Sequence, residues 1–174
     1  MDRYTKPAIL LHWLIALLII AAFLLGVVMT DIPGLTPTKL KYYSWHKWLG
    51  ISVLALAAIR LLWRLNQRPP ALPVSMTQSQ KKAAEAGHWF LYILMFAVPI
   101  SGYLYTTAAG VPVVYLGLFQ IPSLFEASPA LKAALKPVHY WLNMLLAAVV
   151  IGHVLAALKH QFIDKDGLLK RMLP

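Results

Sequence analysis

The chain has no cysteine among its 174 residues, which excludes disulfides, iron–sulfur clusters, thiolate haem ligation and covalent c-type haem attachment. Acid is also scarce. Six Asp and Glu stand against sixteen Lys and Arg, a formal net charge of +10, while charged residues make up only 13% of the chain and apolar ones 60%. So little polar surface cannot coat a soluble globule of this size, which makes the bilayer its natural solvent. In a soluble protein the basic excess would suggest nucleic-acid binding; here it reads as anchoring at membrane surfaces. Membrane lipid is therefore an expected partner and nucleic acid is not.

Four apolar stretches, at about 8–29, 43–65, 87–105 and 138–158, are each long enough at about 1.5 Å per residue to cross a hydrocarbon core of about 30 Å. The first runs about 22 residues, contains a histidine and ends at Met29-Thr30-Asp31 without a small-x-small cleavage pattern, so it reads as a helix of the mature protein rather than a signal peptide. Breaker-rich segments separate the stretches: Asp31-Ile-Pro-Gly-Leu-Thr-Pro, Arg68-Pro-Pro-Ala-Leu-Pro, and Val111 to Pro137 with its four prolines. These are read as loops. With no repeat and no second domain evident, residues 1–174 are expected to form one all-α, four-helix integral membrane bundle.

Basic residues set the expected orientation. Lys39, Lys41, Lys47, Lys132 and Lys136 fall on one side, and the other eleven of the sixteen Lys and Arg fall on the side of the termini. Both termini are thus expected to be cytoplasmic. Trp13, Trp45, Trp48, Trp89, Tyr140 and Trp141 lie near helix ends, where amphipathic rings favour the interface. An aromatic belt accounts for them without a cofactor.

The histidines are the chemistry-bearing residues. His12, His46, His88, His139 and His153 lie within or at the rim of the apolar stretches, and His160 follows Lys159 at the end of the fourth. An ionisable side chain is costly there and marks function by default. A lone histidine could be satisfied by one interhelical hydrogen bond, but five in so small a bundle are hard to explain that way. His139 and His153 are fourteen residues apart, close to four helical turns, so they share a face at depths about 21 Å apart. That leaves room for one haem near each surface. His46 falls at the depth of His139, and His12 and His88 fall at the depth of His153. Two redox centres follow, each needing a second ligand from another helix.

The same fourteen-residue step leads from His12 to Gly26 and from His88 to Gly102. A residue without a side chain makes room for a macrocycle at the depth of the opposite centre, although close helix packing also selects glycine in membranes. From His46 the step reaches Arg60, with Arg64 one turn beyond. Arg60 could pair with a haem propionate or extend to lipid headgroups, and Arg64 fits the second role better.

His12-Trp13-Leu14, His46-Lys-Trp-Leu-Gly-Ile-Ser, His88-x-x-x-Tyr92 with Pro99-x-Ser-Gly102, and His139 with Gly152-His153 together resemble the bacterial cytochrome b561 family. These are small di-haem, quinone-linked cytochromes related to the cytochrome b subunits of hydrogenases and formate dehydrogenases. The resemblance covers essentially the whole chain and rests on the ordered set rather than on any one motif. It implies two haem b groups, an inner one between His12 and His153 and an outer one between His46 and His139. The residues themselves leave His88 as a rival to His12. If His12 is the ligand, His88 becomes a neighbouring or quinone-site residue able to pass a proton. His160 is expected to be interfacial and to hold no cofactor.

Bis-histidine ligation fills both axial positions of the iron and suits it to electron transfer. The resemblance implies ubiquinone or menaquinone as one partner and a bacterial inner-membrane location. The external lysines face only Asp31 and Glu126, so a positive outer surface is expected, which would steer a small anion or an acidic redox protein inward. The resemblance makes superoxide the favoured anion and a superoxide:quinone oxidoreductase the leading reading; phospholipid contact explains the same lysines more simply. A haem-bearing anchor for a larger dehydrogenase is a second reading. A haem-free, histidine-lined transporter is a third, weakened by the lack of intramembrane acids. Whether the chain forms a homodimer is not legible at this level.

Overall fold

A computed structural model describes residues 3–173. Four long helices make up the fold: α1 (Lys6–Asp31), α2 (Pro37–Asn66), α3 (Gln78–Ala108) and α4 (Pro129–Lys159). Each is long and apolar enough to cross a membrane. A short antiparallel hairpin of β1 (Val113–Tyr115) and β2 (Phe119–Ile121) lies between α3 and α4. A π-helical turn, His160–Asp164, continues α4, and a 3-10 turn, Leu169–Arg171, follows it.

The helices extend past the apolar stretches because their ends carry good start signals. Thr36, Thr77 and Ser128 each accept a hydrogen bond from a first-turn backbone N–H, and Thr77 forms a reciprocal capping box with Gln80. Prolines near the starts of α1, α2 and α4 give up no helical hydrogen bond, since their missing N–H would be unpaired there anyway.

Reading Val111 to Pro137 as one loop therefore needs correction. α4 starts at Pro129 instead of Val138 and carries Pro137 inside it, and β1 and β2 occupy part of the remainder. Gly117 turns the hairpin at φ 74° after Leu116 at φ 52°. Trp48 Nε1 donates to Val114 O at 2.7 Å, Ser52 Oγ and Tyr115 Oη are 2.9 Å apart, and Val113 is buried. The hairpin is thereby fastened to α2 at the bundle end opposite the termini.

The core lies at mid-depth. Ile15, Val53, Ala57, Tyr92 and Met95 form one buried cluster, and Leu94, Val98 and Leu146 another, with Ile19 packed against both. Ile19, Val53, Met95 and Leu146 each follow a histidine by seven residues, half of the fourteen-residue step. Bulky apolar side chains thus fill the space between two histidine layers. Outward faces are apolar as well, with Leu17 63%, Ile93 60% and Ile151 60% exposed, as a lipid-facing surface requires.

Both termini lie at one end, where the C-terminal segment crosses the helix ends. Tyr4 N donates to Arg171 O (3.2 Å), Trp13 Nε1 to Met172 O (2.7 Å) and Arg171 Nη1 to Ala71 O (2.5 Å).

Candidate functional site

Packing of the four helices gathers the five intramembrane histidines into two layers. At the hairpin end, His46 of α2 faces His139 of α4 with ring centroids 6.3 Å apart. At the terminal end, His12 of α1 faces His153 of α4 at 6.2 Å, and His88 of α3 lies 5.6 Å from the same His153 ring. The fourteen-residue step on α4 thus supplies one histidine to each layer.

The pairs His12–His153 and His46–His139 have nearly equal separations, and His88 of α3 approaches the same His153 ring.

Hydrogen bonding engages Nδ1 of both hairpin-end rings. His46 Nδ1 lies 2.9 Å from Ala22 O, an acceptor that can only take a proton from the ring. His139 Nδ1 lies 2.9 Å from Ser101 Oγ, whose own hydroxyl donates to Val98 O at 2.8 Å. The serine proton is thus committed to Val98, and His139 donates to the serine oxygen. Both rings then carry the proton on Nδ1 and the lone pair on Nε2, the tautomer a metal-binding imidazole needs. Asn143 Nδ2 donates to His139 O at 2.7 Å and lies 3.2 Å from His139 Nε2. It rests where a metal would bind, and the bond to His139 O can hold it when Nε2 is released.

Glycine makes the close approach of these rings possible. A Cβ on Gly26 would lie 3.3 Å from His46 Cε1, and one on Gly102 would lie 2.8 Å from His139 Cε1. A cavity of about 310 Å³ opens beside the pair, walled by His46, His139, Gly50, Gly102, Phe23 and Lys47. It is lined almost wholly by apolar side chains, suiting a flat, largely hydrophobic ligand.

The terminal-end layer is less constrained. The rings of His12, His88 and His153 make no side-chain hydrogen bond among the described residues. Arg60 lies at this depth with its guanidinium 5.7 Å from the centre of the Tyr92 ring. His160 belongs to neither layer. Its Nδ1 pairs with Asp166 Oδ2 at 2.7 Å and lies 3.2 Å from Asp164 Oδ2. Ser101 lies within the Pro99-x-Ser-Gly102 motif but was given no role of its own, and Asn143 and Ala22, which also orient the rings, carry no sequence signal that would single them out.

Comparison with known proteins supplies the family. The family model described as prokaryotic cytochrome b561 matches residues 3–174. The chain is 37% identical over 172 residues to cytochrome b561 homolog 2 of Escherichia coli (strain K12), covering 99% of this chain and 92% of that protein. It is 31% identical over 176 residues to the probable superoxide oxidase CybB of Yersinia pestis, covering 99% and 96%. It is also 31% identical over 178 residues to cytochrome b561 homolog 1 of E. coli (strain K12), covering 100% and 98%. The chain belongs to the prokaryotic cytochrome b561 family, a family of multi-pass bacterial membrane cytochromes.

Proposed function

We propose that the chain holds two haem b groups, one between His12 and His153 and one between His46 and His139, and carries electrons from superoxide to membrane quinone. The family implies haem b, and the observation that carries the two-site reading is the pair of centroid separations, 6.2 and 6.3 Å. Bound haem would supply one-electron redox chemistry.

The chain's own residues do the rest. Ala22 and Ser101 hold Nδ1–H of the two hairpin-end histidines and make Nε2 the more basic ligand. Ile19, Val53, Met95 and Leu146 keep the space between the layers dry. Arg60 offers its guanidinium to a propionate at the terminal-end site. His88, adjacent to His153, delivers a proton to a quinone oxygen in this reading. In the overall reaction two superoxide anions each lose one electron to give dioxygen, and one quinone gains two electrons and two protons.

Two observations support superoxide as donor. One relative bears the name probable superoxide oxidase. Lys47 lines the cavity that holds His46 and His139, and Lys39 and Lys41 lie on the same end of α2. Such a field attracts a small anion. The distribution of basic residues further supports cytoplasmic termini, with the His46–His139 layer toward the periplasmic face of the inner membrane.

The test is to add a superoxide source to the purified, haem-loaded protein, with and without ubiquinone, and follow the visible spectrum. Reduction by superoxide and reoxidation by ubiquinone is expected. Haems that ignore superoxide but accept electrons from dithionite would remove this donor while keeping the cytochrome.

A further inference from the structure

Between α3 and α4 the chain from Ala109 to Ser128 holds a single charged residue, Glu126, so almost nothing in it opposes lying against the apolar end of the bundle. A two-stranded hairpin with strands this short does not hold its own shape in water. Its place is set by contacts to the helices. Lys47 Nζ donates to Pro112 O at 3.4 Å, Trp48 Nε1 donates to Val114 O at 2.7 Å, and Ser52 Oγ meets Tyr115 Oη at 2.9 Å. Beyond β2, Tyr103 Oη donates to Pro122 O, and Ser128 N donates to Ala108 O at 3.0 Å. The loop is thereby closed at its base as well.

Side chains of a strand alternate between its two faces. The antiparallel register pairs Val113 with Ile121 and Val114 with Gln120, so Val113 turns inward while Val114 and Gln120 turn outward. Burial agrees: Val113 is 2% exposed, and Val114 and Gln120 are both exposed. Val113 forms part of the wall of the cavity that also carries His46, His139 and Lys47. Lys47 is the only Lys, Arg, Asp or Glu among the described residues lining that cavity, and its ammonium is tied to the backbone of the residue before Val113. One strand thus closes the cavity at the hairpin end and holds the cation that an anion would approach. Val113 is β-branched and buried, which leaves its side chain little freedom to swing aside. Entry of anything larger than the gap beside it requires β1 to lift from Trp48 and Ser52.

We propose that the β1–β2 hairpin is a lid on the His46–His139 site and that Val113 is its size filter, admitting anions of a few atoms and keeping a protein donor outside. The proposal rests on the reading above that the donor arrives at the hairpin end, and it narrows the donor class to small anions.

The absence of cysteine makes a single introduced thiol a clean reporter. Val113→Cys and, as the exposed reference on the outer face, Gln120→Cys are purified as full haem-loaded chains. Each is reacted with iodoacetate, a small anion, and with a maleimide carried on a polyethylene glycol chain. Only the bulky reagent has to wait for local opening of the strand, so its rate at Val113→Cys is expected to be about a hundredfold below that at Gln120→Cys, with iodoacetate within about tenfold. Adding Trp48→Phe and Ser52→Ala removes two contacts of β1 and should raise the maleimide rate at Val113→Cys about thirtyfold, with the haem spectrum unchanged. Equal maleimide rates at the two positions overturn the lid. Absence of iodoacetate reaction at Val113→Cys overturns the passage of small anions, and a maleimide rate that the two α2 substitutions leave unmoved overturns the fastening. The readout needs no donor, so superoxide that fails to reduce a chain with the expected labelling pattern removes the proposed donor and keeps the lid. Should the α2 variant fail to assemble, the comparison of the two single-cysteine chains still decides the matter.

Discussion

Gly102 of α3 lies so close to the imidazole of His139 on α4 that a Cβ at Gly102 would stand 2.8 Å from His139 Cε1. The ring cannot yield cheaply, because Ser101 and Asn143 hold its two nitrogens. Gly102→Ala should therefore displace His139 and lower haem occupancy from two per chain toward one, read by quantifying haem against protein. At Gly26 the same addition meets His46 Cε1 at 3.3 Å, a gap that a few tenths of an ångström of movement relieves. Gly26→Ala should keep both haems, with at most a small shift in potential.

The terminal-end layer offers a contest between His12 and His88 for His153. Both rings lie close to His153, at 6.2 and 5.6 Å, and the family pattern favours His12. His12→Ala is expected to remove one haem per chain. His88→Ala is expected to keep two and to slow quinone reduction severalfold. Loss of a haem in the second variant and not the first would reverse the assignment.

Much of this architecture was legible because one period runs through the sequence. His139 and His153 share a face of α4 on arithmetic alone, and the same step leads to Gly26, Gly102 and Arg60. The structure adds a more specific role for the glycines, which sit directly against the opposite histidine rings. Helix ends were less legible. Pro129 and Pro137 read as breakers, yet one begins α4 where its missing N–H costs nothing and the other lies within it. The hairpin at Val113–Ile121 was hidden because its strands are only three residues long and are fixed by tertiary contacts from Trp48 and Ser52. Ser101 stands in the Pro99-x-Ser-Gly102 motif and Asn143 in none, but neither shows its histidine partner in the sequence, since a polar residue in a membrane helix discloses its partner only in three dimensions.

Ser101 gives a prediction about potential. Its oxygen accepts from His139 Nδ1–H, which strengthens the ring as a donor and favours the oxidised metal. Ser101→Ala removes an interaction of about 1 kcal/mol, equivalent to about 40 mV for one electron. A spectroelectrochemical titration should show one of two midpoints rising by tens of millivolts, with haem content unchanged. Ser101→Thr, which keeps the hydroxyl, should restore most of the original value.

Lys47 gives a prediction about rate. It lines the cavity beside His46 and His139, so Lys47→Gln should lower the rate constant for reduction by superoxide severalfold at low salt. The difference should shrink as ionic strength rises and the field is screened. Stopped-flow mixing across a salt series would check it, and a salt-independent loss would point to a packing defect instead of steering.

The most direct test of the central claim is the haem-to-protein ratio of the purified chain and of its His12→Ala and His46→Ala variants, each with a reduced-minus-oxidised visible spectrum. Two b-type haems in the wild type and one in each variant is the predicted result. A wild-type ratio of one, or variants that retain both haems, would contradict the two-pair arrangement.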